Sequence, residues 1–240
     1  PFERWDHIQQ VAPTHLQAAI EAGEPLEKQS LVPYGINMDA ELKILSTADK
    51  VALKSKLELP DNIPIILSVA AINKSHKRLD YLIREIAQLP KPRPYLLMLG
   101  QIEAESAEII ALAKELLEPD KFQIKTVASD QVVNYYQVAD AFVLSSLGEG
   151  LPRVLLEAMS YGLPCITHDY EVSRFVLKDE GYFGNFELPG SLVSLIPNVL
   201  SQNNDDFKLK RHQSVYERFS WDKIHLDYFK MINHCAKYTN

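Results

Sequence analysis

From residue 65 onward, short apolar runs alternate with stretches whose apolar residues recur every three or four positions. The runs at 65–69, 95–99, 122–127, 141–144 and 164–167 are bounded by proline, glycine or charge. Short runs of this kind fit strands covered on both faces. Helical spacing fills the intervals 77–89, 102–117, 131–139 and 152–161. Strand-then-helix repetition implies right-handed crossovers and a parallel, doubly wound, Rossmann-like α/β sheet.

The pattern loosens after residue 167, where Gly181, Gly184, Pro189 and Gly190 cluster, and then predicts helices over 191–200, 205–218 and 221–237. Ser220 is placed to cap the last of these. Ile224, Tyr228, Met231, Ile232 and Cys235 give that helix an apolar stripe. The beginning of the chain has a different character. Residues 8–12 read as a strand, 14–23 as a helix ended by Gly23, and 28–32 as an extended run into Pro33-Tyr34-Gly35-Ile36-Asn37.

With 240 residues and 46% hydrophobic content there is material for one large domain plus a short appendage. The start Pro1-Phe2-Glu3-Arg4, with no Met, signal or transit pattern, reads as an excised piece of a longer protein. No run approaches the roughly 18 apolar residues that span a bilayer. A net charge of −7 argues against a nucleic-acid partner, which a basic stripe would announce. The two cysteines, Cys165 and Cys235, lack CxxC spacing, which fits a reducing compartment. The seven histidines lack metal-ligand spacing, so no metal and no resident cofactor are expected.

Ligands of doubly wound sheets bind at the carboxyl ends of the strands. No GxGxxG follows any candidate strand and there is no GxxxxGK[ST] loop, which removes the main support for a nicotinamide, flavin or P-loop reading. The loop after Leu144 runs Ser145-Ser146-Leu147-Gly148-Glu149-Gly150-Leu151-Pro152-Arg153 and enters a helix carrying Glu157. Gly150 permits close backbone approach and Pro152 suits a first helical position. The free N–H groups and positive dipole end of that helix favour an anion. Carboxylates at Glu149 and Glu157 accept from sugar hydroxyls. Each residue has a plainer role open to it: Glu149 as a complement to the helix dipole, Glu157 as the partner of Arg153 four residues earlier.

A second loop, Ala70-Ala71-Ile72-Asn73-Lys74-Ser75-His76-Lys77-Arg78, concentrates basic residues at a predicted helix start. Cations are unfavourable there unless an anion joins them, although a solvated basic loop gives the same sequence.

Glu149-Gly150-Leu151-Pro152-Arg153-Val154-Leu155-Leu156-Glu157 resembles the E-x7-E motif of family 4 (group 1) glycosyltransferases, enzymes of the GT-B fold. Val32-Pro33-Tyr34-Gly35-Ile36-Asn37, Tyr135-Tyr136-Gln137-Val138-Ala139-Asp140-Ala141 and Phe219-Ser220-Trp221 are similar to further segments of that family, so the resemblance covers about residues 30 to 235. It implies the C-terminal, nucleotide-sugar-binding half of a GT-B protein. Residues 1–30 would be the tail of an N-terminal acceptor domain, 31–220 the donor domain, and 221–240 a helix crossing back.

The resemblance further implies a retaining transfer from a nucleotide-diphosphate sugar to a carbohydrate, lipid-linked or other acceptor. Glu149 would meet the donor sugar as the catalytic-site carboxylate, and Glu157 the ribose. The backbone at Gly150, Leu151, Pro152 and Arg153 would cradle the diphosphate, and the loop at 127–131 would hold the base. The family has an Arg just after the 65–69 strand and a Lys several residues on. This chain has Ala71 there and a spacing one residue longer, so Lys77 becomes the phosphate ligand, with Lys74 or Arg78 replacing the Arg. A non-catalytic binding module and a nucleotide-sugar epimerase are the competing readings, and membrane contact would run through the N-terminal domain.

Overall fold

A computed structural model describes residues 5–202 and 204–237. Pro1 to Arg4, where the chain's opening was read, and residues 238–240 of the last segment lie outside the described residues.

Six parallel strands form one sheet: β3 (Ile65–Val69), β4 (Tyr95–Leu99), β5 (Phe122–Lys125), β6 (Ala141–Leu144), β7 (Cys165–His168) and β8 (Gly181–Gly184). Their spatial order is β5-β4-β3-β6-β7-β8. The chain therefore winds outward from β3 to β5, then returns to the other side of β3 with β6. The strand order reverses between β3 and β6, and that is where such sheets open a crevice.

Alternation sorts the strand side chains between two layers. Leu67, Leu97, Phe142, Leu144 and Cys165 face helices α5 (Val132–Val138), α6 (Arg153–Ser160), α7 (Glu171–Leu177) and α9 (Asp205–Phe219). Ile66, Leu96, Met98, Val143 and Ile166 face α3 (Leu79–Gln88), α4 (Ser106–Leu116) and α8 (Ser191–Ser201). Every residue of β4 and β6 is buried, as covered strands require.

At the beginning of the chain, β1 (Ile8–Gln10) and β2 (Gln29–Leu31) form a parallel pair joined by α1 (Pro13–Glu21). The last helix, α10 (Trp221–Lys237), packs on this unit: Gln9 Nε2 donates to Tyr228 Oη at 2.9 Å, and Tyr228 Oη donates to the Pro33 carbonyl at 3.1 Å. Gly23 closes α1 at φ 84°, the left-handed backbone its position called for.

Several boundaries differ from expectation for local reasons. Helix α4 begins at Ser106, not 102, because Ile72 and Ile102 pair as an isolated bridge and Ser106 Oγ donates to the Ile72 carbonyl. Helix α3 begins at Leu79 because the Asn73 side chain takes the His76 and Lys77 N–H groups into a loop. Strand β5 stops at Lys125, whose carbonyl accepts from Gly100, while the Thr126 hydroxyl turns to the Gly100 carbonyl. Pro152 stands just before α6 as its cap residue rather than inside it. Ser220 opens α10 through its carbonyl, which accepts from Lys223 and Ile224, while its buried hydroxyl makes no hydrogen bond. The backbone there is committed to a bridge with Ile36, which turns the side chain inward. The remaining helix, α2 (Thr47–Lys56), is capped by Ser46, whose hydroxyl accepts from Asp49 N–H.

Candidate functional site

The loops after β3 and β6 meet at the point where the strand order reverses. Lys77 Nζ stands 2.6 Å from Glu149 Oε1, with side chains 20% and 13% exposed. His76 Nε2 lies 3.7 Å from the same oxygen. The meeting is prepared from below: Ser145 Oγ donates to the Lys77 carbonyl at 2.6 Å, and Asn73 Oδ1 accepts from Lys77 N–H at 2.8 Å. Asn73 is itself steadied by Glu103, to which its side-chain amide donates at 2.8 Å.

Beyond Glu149 the chain enters α6 with no side-chain cap and no acidic residue in the first turn. The leading N–H groups of that helix thus keep their capacity to bind an anion. A Cβ built on Gly148 meets nothing within 4 Å, and one built on Gly150 meets only His15 Cε1 at 3.9 Å. No protein atom crowds these two glycines, so the backbone of this loop stays open to close approach. Leu151 and Pro152 are buried, while Arg153 is exposed.

Glu157, inside α6, accepts a hydrogen bond from Tyr136 Oη on α5 at 3.1 Å. Tyr136 also stacks on Tyr161 with ring centres 5.6 Å apart. Burial first, then the Glu157 charge, holds the Tyr136 phenol protonated well above its ordinary range. Tyr136 is therefore a fixed donor that orients Glu157 by Oε2. No ion pair joins Arg153 to Glu157 among the described residues.

The other two basic candidates face elsewhere. Lys74 pairs with Glu108, and the Lys74 and Ser75 N–H groups both donate to Glu105. Arg78 holds the left-handed position before α3 at φ 51°, donates to the Phe186 carbonyl at 2.8 Å and lies over the Tyr81 ring. Of the three, Lys77 alone is brought to Glu149. Segment 129–131 forms a turn of 3-10 helix at the carboxyl end of β5 and leads directly into α5, the helix that carries Tyr136.

Sequence reasoning did not find Ser145, Asn73 or Tyr136 as supports, nor Tyr170. The Tyr170 phenol lies close enough to the Glu149 backbone to feel it, yet makes no hydrogen bond of regular geometry. Burial, with the Glu149 charge second, raises its pKa. For Ser145, Tyr170 and Asn73 the available signal was a polar side chain one, two and four residues beyond a strand; Tyr136, inside α5, carried no such mark. Among the described residues no group of three or more His, Cys, Asp or Glu converges as a metal site, and no helix is long and apolar enough to cross a membrane.

A hollow of about 450 Å³ lies at the other end of α6, between Asp39, Lys43, Tyr161, His212 and Trp221. Helix α6 returns toward the strands' amino ends, so this hollow is away from the carboxyl-end crevice where doubly wound sheets bind their ligands.

The six-stranded parallel sheet flanked by helices matches that of GT-B glycosyltransferase structures. The model of the glycosyl transferases group 1 family matches residues 49–216, well over half of the chain, and the chain belongs to that family. It is 25% identical over 236 residues to an alpha-galactosylglucosyldiacylglycerol synthase of Streptococcus pneumoniae, covering 95% of this chain and 62% of the relative. A glycosyltransferase of Rickettsia africae shares the fold with a TM-score of 0.84 at 20% identity, covering 96% of this chain and 64% of that one. The Anabaena protein HepE, solved in complex with UDP, does so with a TM-score of 0.82 at 16% identity, over 95% and 64%. The chain thus spans less than two thirds of the length of each of these proteins.

Proposed function

We propose that this chain is the donor-binding part of a retaining, family 4 glycosyltransferase that moves a sugar from a nucleotide-diphosphate sugar to an acceptor. The observation that carries the reading is the Lys77–Glu149 pair beside the uncapped start of α6. Without ligand, Lys77 neutralises Glu149. With a donor in place, Lys77 turns to the diphosphate and Glu149 accepts from the sugar's hydroxyls. The N–H groups at the start of α6 take the remaining phosphate oxygens. Glu157, oriented by Tyr136, accepts from the ribose, and the 127–131 loop lies on the side of the base.

HepE, a fold neighbour, was solved with UDP, which supports a uridine nucleotide as the first donor to test. In this reading the unit of β1, α1, β2 and α10 belongs to a second, acceptor-binding domain of a longer, cytoplasmic protein. The name of the Streptococcus pneumoniae relative, a diacylglycerol glycolipid synthase, is in keeping with a lipid-linked acceptor and with membrane contact through that domain.

The test is a thermal-shift screen of this chain against UDP, GDP, ADP and their sugar conjugates. A ligand that binds only the folded state adds RT ln(1 + [L]/Kd), about 2.7 kcal/mol at a hundredfold excess. One nucleotide series should raise Tm selectively, and Gly150→Ala should abolish the shift while altering basal stability by no more than about 0.5 kcal/mol. The open space at Gly150 sets that contrast. Binding of every nucleotide with equal weakness, or undiminished binding in Gly150→Ala, would remove the donor site from this loop.

A further inference from the structure

The site at Glu149 is bounded on its second side by a residue from the chain's first helix. His15, in the first turn of α1, brings its ring Cε1 to 3.9 Å from the Cβ position of Gly150. Its backbone N–H donates to the Ala12 carbonyl, but its imidazole makes no hydrogen bond or ion pair among the described residues. The ring is half-buried rather than free in solvent, because α1 packs on α7. The partly buried imidazole beside Gly150 therefore keeps both ring nitrogens available for a ligand at this loop.

The surrounding charge defines that ligand. Lys77 and His76 approach Glu149 from the β3 side, and His15 approaches Gly150 from the α1 side. The first-turn N–H groups of α6 lie next in sequence, and no carboxylate of α6 opposes them in that turn. An ammonium and one imidazole at Glu149, a second imidazole beside Gly150 and the start of α6 thus lie along one short loop, a set of donors suited to a multiply charged anion.

We propose that His15 is a phosphate-binding residue of the donor site, donating a ring N–H to a non-bridging oxygen of the nucleotide's diphosphate. The role rests on the donor-site reading above and adds to it a contact from the β1–α1–β2 unit. The diphosphate is then clamped between two parts of the chain: Lys77 and α6 from the sheet domain, and His15 from the first helix. A donor bound in this way also fixes α1 over the site, which couples nucleotide binding to the placement of that unit.

The experiment compares the full chain with its His15→Ala and His15→Gln variants, titrated calorimetrically with UDP, GDP and ADP and with the matching nucleosides. His15→Ala should weaken the preferred nucleoside diphosphate about tenfold or more, as expected for one charge-assisted hydrogen bond. The parent nucleoside should bind all three proteins alike, and His15→Gln, which keeps a donor, should recover part of the loss. Unchanged diphosphate affinity in His15→Ala overturns the role. Parallel losses for diphosphate and nucleoside also overturn it, since they would make His15 a packing residue only. Failure of the unaltered chain to bind any nucleoside diphosphate instead overturns the donor site itself, and His15's role with it.

Discussion

Glu149 and Glu157 are eight residues apart on one loop-helix segment, yet the protein treats them differently. Glu149 is neutralised by a cation from another loop, Lys77, a pairing that the proposed donor would replace. Glu157 is held by Tyr136, a phenol that burial keeps from ionising and that stacks on Tyr161. One carboxylate is set up to switch partners and the other to stay fixed, which suits a reacting sugar and an unreactive ribose. Glu157→Gln should weaken nucleotide affinity about tenfold, because one acceptor oxygen becomes a donor facing a hydroxyl. Tyr136→Phe keeps the carboxylate and loses only its orientation, so the effect should be smaller, about two- to fivefold. Calorimetry with the nucleotide found in the screen decides the order, and equal affinity in Glu157→Gln would exclude that residue from the site.

Helix α8 shows how an element can lack its own start signal and still be well defined. Gly190 precedes it at φ 86° and offers no side-chain cap. The cap comes from Glu85 on α3, buried to 1% exposure, whose carboxylate accepts from Gly190 N–H at 2.7 Å, Leu192 N–H at 2.9 Å and Val193 N–H at 3.3 Å. This is a carboxylate at a helix's positive end, and it joins α3 to α8 on one face of the sheet. Glu85→Gln should cost about 2–4 kcal/mol, since it removes the charge and turns an amide NH2 toward N–H donors. Urea denaturation should show a lowered midpoint with an unchanged slope, and a shift under 0.5 kcal/mol would show the contacts to be replaceable.

Such long-range caps are invisible in sequence, and they mark the limit of what local pattern revealed. The five strands from 65 to 167 were legible because covered strands write unbroken apolar runs. Strand β8 was not: Gly181 and Gly184 fall where the pattern loosens, yet a Cβ on Gly181 would stand 2.5 Å from Leu177 Cβ, so the glycine lets α7 and β8 pack. In the loop at 73–78 the cluster of cations was legible, but the sorting of Lys77 toward Glu149, Lys74 toward Glu108 and Arg78 toward Phe186 depends on Asn73 and on α4. His15 was unreadable as a site residue because 134 positions separate it from Glu149 in the chain.

At the scale of the whole molecule, the first and last segments form one unit that meets the sheet domain at α1 on α7 and at a tight junction around Ile36. The Ile36 N–H donates to the Phe219 carbonyl, and Trp221 N–H to the Ile36 carbonyl, so the strand entering the domain and the helix leaving it are laced together. Next to this lacing Gly35 lies flat against Trp221: a Cβ added there would come within 2.7 Å of two indole carbons and 3.0 Å of Ile224 Cδ1. Trp221 is held in turn by Tyr228, 4.8 Å away between ring centres, which bonds both Gln9 and Pro33. Leu226, Phe229 and Ile232, at 55, 63 and 59% exposure, look away from this contact, so α10 is fixed along one stripe only. Gly35→Ala must therefore push the indole outward and loosen α10 along its length. We expect a loss of about 1–3 kcal/mol, the usual cost of overpacking. Trp221→Leu in the same chain should recover most of it, giving a coupling of at least about 0.5 kcal/mol in a double-mutant cycle. The same variant should leave Lys77 and Glu149 in place but free the β1–α1–β2 unit from its register. Nucleotide affinity should then fall in Gly35→Ala only as far as it falls in His15→Ala, and not at all once His15 is already removed. A loss in Gly35→Ala that persists in the His15→Ala background would mean that the junction supports the donor loops directly rather than through the first helix.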